Sequence, residues 1–394
     1  MKPFRVGLSC MAIMAAVIGL ALVPRRPAVG ARPLPPVDLA EGPVIQQHVD
    51  QKEIDAGRLS LDYLLRKGRE LFVASFSTLD GAGRPEATGN GTPTPRPQRT
   101  FPENFNRSSG PEANSCAGCH NMPRPGGGGD NVANVFVLAQ LNDFTEDISP
   151  NTADERNTLG MWGSGAIEML AREMTADLLA IRQGAIQQAM QAQQSVTVPL
   201  ITKGVSFGQI TAHADGSTDL SQVEGVDKDL IIKPFHQKGV VISLRQFSVN
   251  AYNHHHGMQA SERFGDGVDF DHDGIADELT RGDITAATLF QAAMEIPGQV
   301  IPRHPVIEQA IREGEKTFQK IGCASCHLPA LTLNNPVYSE PNPYNPAGNL
   351  RLSDVPHPFT FDLTRQGPLP RLERTRDGHA MVRAFTDLKR HKMG

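Results

Sequence analysis

Cys116-Ala-Gly-Cys119-His120 and Cys323-Ala-Ser-Cys326-His327 decide how this chain reads. In C-x-x-C-H the two thiols add to the vinyl groups of a haem from one short turn of chain, and the next residue brings an imidazole under the iron. That chemistry requires both the residue types and the spacing. A four-thiolate zinc site would use the same cysteines, and a thioredoxin-like pair would use one C-x-x-C. Zinc needs its two pairs near one another, whereas these lie about two hundred residues apart, and neither alternative needs the added histidines. The motifs therefore predict two covalently bound haem c groups, on Cys116 and Cys119 and on Cys323 and Cys326, with His120 and His327 as iron ligands.

Ahead of the second motif, Val306-Ile307, Ala310-Ile311, Gly314 and Phe318 recur at helical spacing and predict an amphipathic helix ending at Ile321-Gly322. Gly314-x-x-x-Phe318 resembles the first helix of class I cytochromes c, where a small residue lets the last helix cross closely. Gly68-Arg-Glu-Leu-Phe72 begins the same way, but Cys116 follows Phe72 by 44 positions and Cys323 follows Phe318 by five. The pattern is a divergent duplication, with a Pro/Gly/Thr-rich insertion around Thr78–Arg107 in the first copy.

Lys2 and Arg5 precede an apolar run from Val6 to Val23, and Ala28-Val29-Gly30 supplies the small residues of a cleavage site. Residues 1–30 read as a signal peptide that contains Cys10, and 31–43 as a Pro-rich linker. An uncleaved anchor is the alternative, and the one circumstance that would make the membrane a partner. Removing the signal takes away four basic and no acidic side chains, so the formal charge of −5 becomes −9. No basic block remains to bind nucleic acid. With 39% apolar and 21% charged residues the 394-residue chain can bury a large core, while 37 glycines and 30 prolines demand long irregular loops. The four cysteines beyond the signal are spent on the two motifs, which leaves none for a disulfide framework.

Residues 44–235 then read as an N-terminal haem domain with a β insert near 196–232, and 236–394 as a C-terminal cytochrome c-like haem domain. Gly126 to Gly129 lack the strand and lysine of a phosphate loop, so they suit a close backbone approach or a plain loop. Ile167, Leu170, Ala171, Met174, Leu178 and Ile181 mark one face of a long helix, with Glu168 and Arg172 elsewhere around it. Trp162, the only tryptophan, suits packing or electron relay beside a haem. His254, His255 and His256 cannot all serve one iron; one of them suits a distal ligand or proton relay at the first haem. Asp269, Asp271, Asp273 and Asp277, with Gly274, match the first nine positions of a calcium loop. Thr280 replaces the bidentate glutamate at the twelfth, so the loop would close through Glu278 or water.

With Asn114-Ser-Cys116-Ala-Gly-Cys119-His120, Arg156-Asn-Thr-Leu-Gly-Met-Trp162-Gly, Asn253-His-His-His-Gly-Met258 and Thr386-Asp-Leu-Lys-Arg-His391-Lys-Met393-Gly394 quoted, the chain resembles bacterial dihaem oxidoreductases of the thiol oxidoreductase-like kind. These are distantly similar to dihaem cytochrome c peroxidases, and the resemblance covers about residues 60–394. It implies a reactive N-terminal haem on His120, a C-terminal electron relay on His327 and Met393, and often a calcium ion between the haems. Met393 lies 66 residues after His327, a spacing class I cytochromes use for the sulfur ligand; Met381 is the other candidate. Family members continue past the His-x-Met-Gly stretch into a closing helix, so a chain stopping at Gly394 is expected to be a fragment or truncated product.

These readings combine into a mainly α fold, with two cytochrome c-like haem domains, long loops and a small β insert. The expected function is a periplasmic oxidoreductase with one peroxidase-like haem and one electron-transfer haem, Glu168, Glu173 and His255 being the acid/base candidates. The alternative is a pure electron carrier with both irons six-coordinate; a redox or gas sensor is a third reading. The expected partner is a small redox carrier of cytochrome c or cupredoxin type, basic if it answers the chain's acidic charge.

Overall fold

Helix α1 spans Gln51–Asp55, α2 Leu61–Val73, α3 Cys116–Cys119, α4 Ser164–Ala192, α5 Leu244–Ala251, α6 Ser261–Phe264, α7 Arg281–Ala292 and α8 Pro305–Lys320. They belong to a computed structural model that describes residues 42–83, 113–129, 132–134, 155–236 and 239–392. The expected signal peptide, most of the linker, most of the Thr78–Arg107 insertion and Met393 lie outside the described residues.

The architecture is mixed α/β, which corrects the expected mainly α fold of two cytochrome c-like domains: 36% of residues are helical and 14% are in strands. Strands β1 (Val132–Asn134) and β2 (Glu155–Asn157) form one antiparallel pair. Strands β3 (Val196–Thr202), β4 (Val205–Ala212) and β5 (Thr218–Asp219) form an antiparallel sheet in chain order. The chain after the second C-x-x-C-H accounts for most of the difference. It builds β6 (Leu331–Leu333), β7 (Val337–Glu340), β8 (Phe359–Asp362), β9 (Glu373–Arg374) and β10 (Ala380–Val382), paired as β6-β10-β9 and β7-β8. Between Cys326 and Lys392 the only helical piece among the described residues is one 3-10 turn, Leu352–Asp354. Two- to four-residue strands carry too little alternation to stand out from loop sequence.

Helix α2 starts where the Ser60 hydroxyl accepts the Tyr63 N–H at 3.3 Å, and it buries Leu64, Gly68, Leu71 and Phe72 on one stripe. That stripe lies on α7, a helix buried nearly all round. The two backbones approach so closely at Gly68 that a Cβ there would overlap the carbonyl of Ala286. Thr280 and Asp283 cap α7 reciprocally, and Asp283 also accepts from His48 Nδ1 at 2.6 Å and Val49 N at 2.9 Å. Elements from both sides of residue 235 thus share one core. Leu170, Met174 and Leu178 of α4 belong to it, with Leu200, Phe207 and Ile210 of the β3–β4 hairpin and Tyr338 and Phe361 from β7 and β8. No described helix is long and apolar enough to cross a membrane.

Candidate haem-attachment sites

The first motif folds as a single turn, α3, after Ser115, and the His120 N–H closes it on the Cys116 carbonyl at 2.9 Å. His120 Nδ1 then donates to the Leu159 carbonyl at 2.9 Å, and its ring centroid lies 6.2 Å from that of Phe72 on α2. Burial pulls the His120 pKa down, which the Leu159 carbonyl opposes. Two of the four glycines that follow are packed tightly against backbone carbonyls. A Cβ at Gly127 would overlap the Met122 carbonyl and one at Gly129 the Cys119 carbonyl, so close backbone approach explains these two.

The second motif repeats the arrangement with different elements. The His327 N–H meets the Cys323 carbonyl at 2.9 Å, and His327 Nδ1 donates to the Phe385 carbonyl at 3.1 Å. Phe318, near the C-terminal end of α8, lies 6.3 Å from the His327 ring. An imidazole that gives its Nδ1 proton to a backbone carbonyl keeps its Nε2 lone pair, the state and orientation a metal-ligating histidine needs. Both sites therefore fit a covalent haem, which Cys116, Cys119 and His120 would hold at the first and Cys323, Cys326 and His327 at the second. None of these cysteines is in a disulfide.

Met161, Met294, Trp162 and Phe290 pack with Phe72 and Cys116 beside the first site. Trp162 sits under the Arg124 guanidinium, 4.9 Å away, and Arg124 pairs with Glu295 at 2.8 Å. The indole Nε1 is buried with no hydrogen-bond partner among the described residues.

The three histidines form a π-helical turn, Tyr252–His256, at the end of α5. Such turns concentrate at functional sites. His256 faces the first motif: it is buried, Nδ1 donates to the Ala113 carbonyl at 2.6 Å, and Nε2 lies 3.4 Å from Cys116 Sγ. Burial pushes its pKa down to about 4, so the imidazole is neutral at pH 7. Burial likewise pushes the Cys116 thiol up to about 12. His255 lies next along the turn, its carbonyl accepting the Ala113 N–H at 3.2 Å. Three adjacent identical residues carry no periodicity, and only the fold distinguishes them.

Of the other acid/base candidates, Glu173 pairs with Lys203 at 2.6 Å and accepts the Asn334 and Asn335 N–H groups, and Glu168 is fully buried in a polar network. Oε1 accepts from Arg172 and from Asn342 Nδ2 at 2.8 Å; Oε2 accepts from the Leu244 N–H at 2.8 Å and the Tyr338 hydroxyl at 3.3 Å. No cysteine or histidine is among these partners.

Asp269, Asp271 and Asp273 bring carboxylate oxygens within 4.8 Å of one another. Asp269 accepts the N–H groups of Asp273 and Gly274 at 3.1 and 2.9 Å, which curls the loop around them. Asp277 stands outside this group and accepts from Gly267 N at 2.8 Å. Glu278 is buried with Oε2 on the Gln259 N–H at 2.8 Å and no hydrogen bond to Oε1 among the described residues. Burial, then Asp271, Asp273 and Asp269, push its carboxyl up to about 10. Three oxygen donors beside a fourth buried carboxyl suit a hard divalent cation. Thr280 is absent from the set because its hydroxyl caps α7 and donates to the Val49 carbonyl at 2.7 Å.

No family model, curated protein or solved structure matches this chain.

Proposed function

We propose that this chain is an exported oxidoreductase carrying two covalent haem c groups, the first reactive and the second an electron relay. The observation that carries the reading is the twin hydrogen bond, His120 Nδ1 to Leu159 and His327 Nδ1 to Phe385, at both C-x-x-C-H turns. Sequence spacing alone does not require either bond; a metal-ligating imidazole does. When bound, haem supplies one-electron redox chemistry and, where an axial position is open, a site for a small oxidant such as peroxide.

The residues of the chain divide the work. Cys116, Cys119 and His120 hold the first group, with neutral His256 and the Met161, Trp162 and Met294 cluster around it. Cys323, Cys326 and His327 hold the second, and Met393 is the proposed sulfur ligand that raises its potential. Asp269, Asp271 and Asp273, completed by Glu278, are the proposed Ca²⁺ ligands. A small one-electron carrier is the proposed partner.

Haem counting tests this directly. The chain matured in an exporting host is expected to carry two haems, the Cys116→Ser/Cys119→Ser and Cys323→Ser/Cys326→Ser variants one each, and the quadruple variant none. A haem-free wild-type chain ends the proposal. Carbon monoxide and peroxide added to the half-reduced protein then test reactivity: an open site takes up one or both, whereas two inert low-spin haems leave an electron carrier.

A further inference from the structure

Where the second C-x-x-C-H turn meets residues 385–391, the Cys326 thiol, the Asp387 carboxylate and the His391 imidazole each bring one ligand atom within 4.8 Å of the others. We propose that these three side chains form a Zn²⁺ site in the chain before any haem is attached at Cys326. The site stands on its own donors and does not depend on the haem reading.

The donor set selects the ion. One thiolate, one imidazole and one carboxylate supply the three protein ligands of an open zinc site, whose fourth position goes to water or a small ligand. With metal–ligand distances of about 2.0–2.3 Å, donors around a tetrahedral zinc lie about 3.3–3.5 Å apart. Asp387 Oδ2 and His391 Nε2 are 2.8 Å apart and the Cys326 sulfur is within 4.8 Å, so side-chain rotation is enough to gather all three. With its proton on Nδ1, His391 offers the Nε2 lone pair, and the Cys326 thiol gives its proton to solvent as the ion binds. Sulfur and nitrogen donors exclude calcium, which the all-oxygen group of Asp269, Asp271 and Asp273 suits instead.

The surroundings hold the donors and leave a way in. Asp387 is buried, and its Oδ1 accepts the Lys389 N–H at 2.9 Å, which anchors the carboxylate and leaves Oδ2 on the His391 side. The Ser325 hydroxyl lies 3.8 Å from Cys326 Sγ, close enough to steady a thiolate. Two nearby cations are engaged elsewhere: the Arg390 guanidinium pairs with Asp227, and Lys389 Nζ sits 5.7 Å from the centroid of the Phe207 ring. The Arg390 N–H, on the Gly225 carbonyl at 2.9 Å, ties the segment to the rest of the fold. Cys326 and His391 both reach solvent, which gives the ion its entry path. Attaching haem turns the Cys326 thiol into a neutral thioether, so haem at Cys326 and zinc at this site exclude each other, and bound zinc withholds a thiol that the second haem needs.

The test uses the full chain made without haem attachment, reduced, and carrying Cys116→Ser/Cys119→Ser to silence the first turn; the probes are Co²⁺ and then Zn²⁺. One equivalent of Co²⁺ is expected to give the near-ultraviolet charge-transfer band of a sulfur–cobalt bond, which Zn²⁺ removes and excess Ca²⁺ leaves. Cys326→Ser should abolish the band, His391→Ala and Asp387→Asn should weaken Co²⁺ binding at least tenfold, and Cys323→Ser should keep it. Without any change at the site, Zn²⁺ should slow alkylation of Cys326, located by mass spectrometry, at least tenfold. A band that requires Cys323 but survives both Asp387→Asn and His391→Ala is plain C-x-x-C chelation and overturns the site. So does a chain in which Co²⁺ gives no band and Zn²⁺ leaves Cys326 alkylation unchanged. A full band in a chain with haem bound at Cys326 overturns the thiolate ligand.

Discussion

Gly68 lies against Ala286 so closely that the α2–α7 crossing has no room for a single added carbon. Its sequence counterpart Gly314, on α8, faces open space, and α8 buries none of its residues. Alanine raises intrinsic helix stability by about 1 kcal/mol over glycine, but overpacking a tight contact costs about 1–3 kcal/mol or more. Gly68→Ala should therefore destabilise the protein by at least about 2 kcal/mol in urea unfolding, while Gly314→Ala should be neutral or stabilising. Equal effects of the two would mean that the α2–α7 crossing is looser than described.

Arg245 is completely buried and reaches five oxygen atoms of four residues. Its guanidinium bonds Glu262 at 2.6 Å, Glu340 at 3.0 Å, the Thr285 hydroxyl at 2.9 Å and the Arg281 carbonyl at 2.9 Å, with a second Glu262 oxygen at 3.2 Å. Burial lowers its pKa, but Glu262 and Glu340 outweigh that and hold it above the usual value. Removing the charge strands two buried carboxylates, typically at a cost of about 3–5 kcal/mol. Arg245→Met should lower the unfolding free energy by that amount. The further change Glu340→Gln should restore part of it, because one stranded charge is then removed. A neutral Arg245→Met variant would show that water reaches the network.

His256 makes the protein acid-sensitive in a defined window. Its folded pKa is about 4, below the ordinary 6.5, so the unfolded chain binds the extra proton first. The stability it contributes is whole above pH 6.5 and is lost as pH falls toward about 4, at about 1.4 kcal/mol per pH unit and about 3 kcal/mol in all. His256→Gln keeps a donor for the Ala113 carbonyl and removes the titration. The variant should therefore lose less stability than wild type between pH 7 and pH 4.5. Parallel pH profiles would place the acid sensitivity elsewhere.

What the sequence revealed follows from how local each signal is. The two C-x-x-C-H turns are five-residue chemical patterns, and the helices around Ile167–Ile181 and Val306–Phe318 announce themselves by periodicity; they appear as α4 and α8. Helix α7 went unseen because Ala286, Ala287 and Leu289 are buried on all sides together with Thr285 and Thr288, so it has no polar face to set a period. Nothing local in the sequence marks Arg245, Glu168 and Arg172 as buried, because charge usually means exposure; their burial depends on partners up to 174 positions away, such as Asn342. The candidate first site draws on Ala113, Cys116, Leu159 and His256, and no spacing rule joins these four.

The acidic loop offers the clearest ligand-dependent prediction. Asp269, Asp271 and Asp273 place like charges within 4.8 Å, a repulsion that a divalent cation relieves, and Glu278 stands buried beside them. A ligand bound only by the folded state adds about 2.7 kcal/mol of stability at a hundred times its Kd. Calcium should accordingly raise the unfolding midpoint above that in chelator, and Asp271→Asn should abolish most of the increment. Glu278→Gln separates two roles for the buried carboxyl. If Glu278 ligates the ion, the variant weakens calcium binding; if it is only packed against Gly81, the variant leaves the calcium increment intact and stabilises the calcium-free protein. A wild-type midpoint that is the same in calcium and in chelator would remove the cation site and leave Asp269 as the residue that curls the loop.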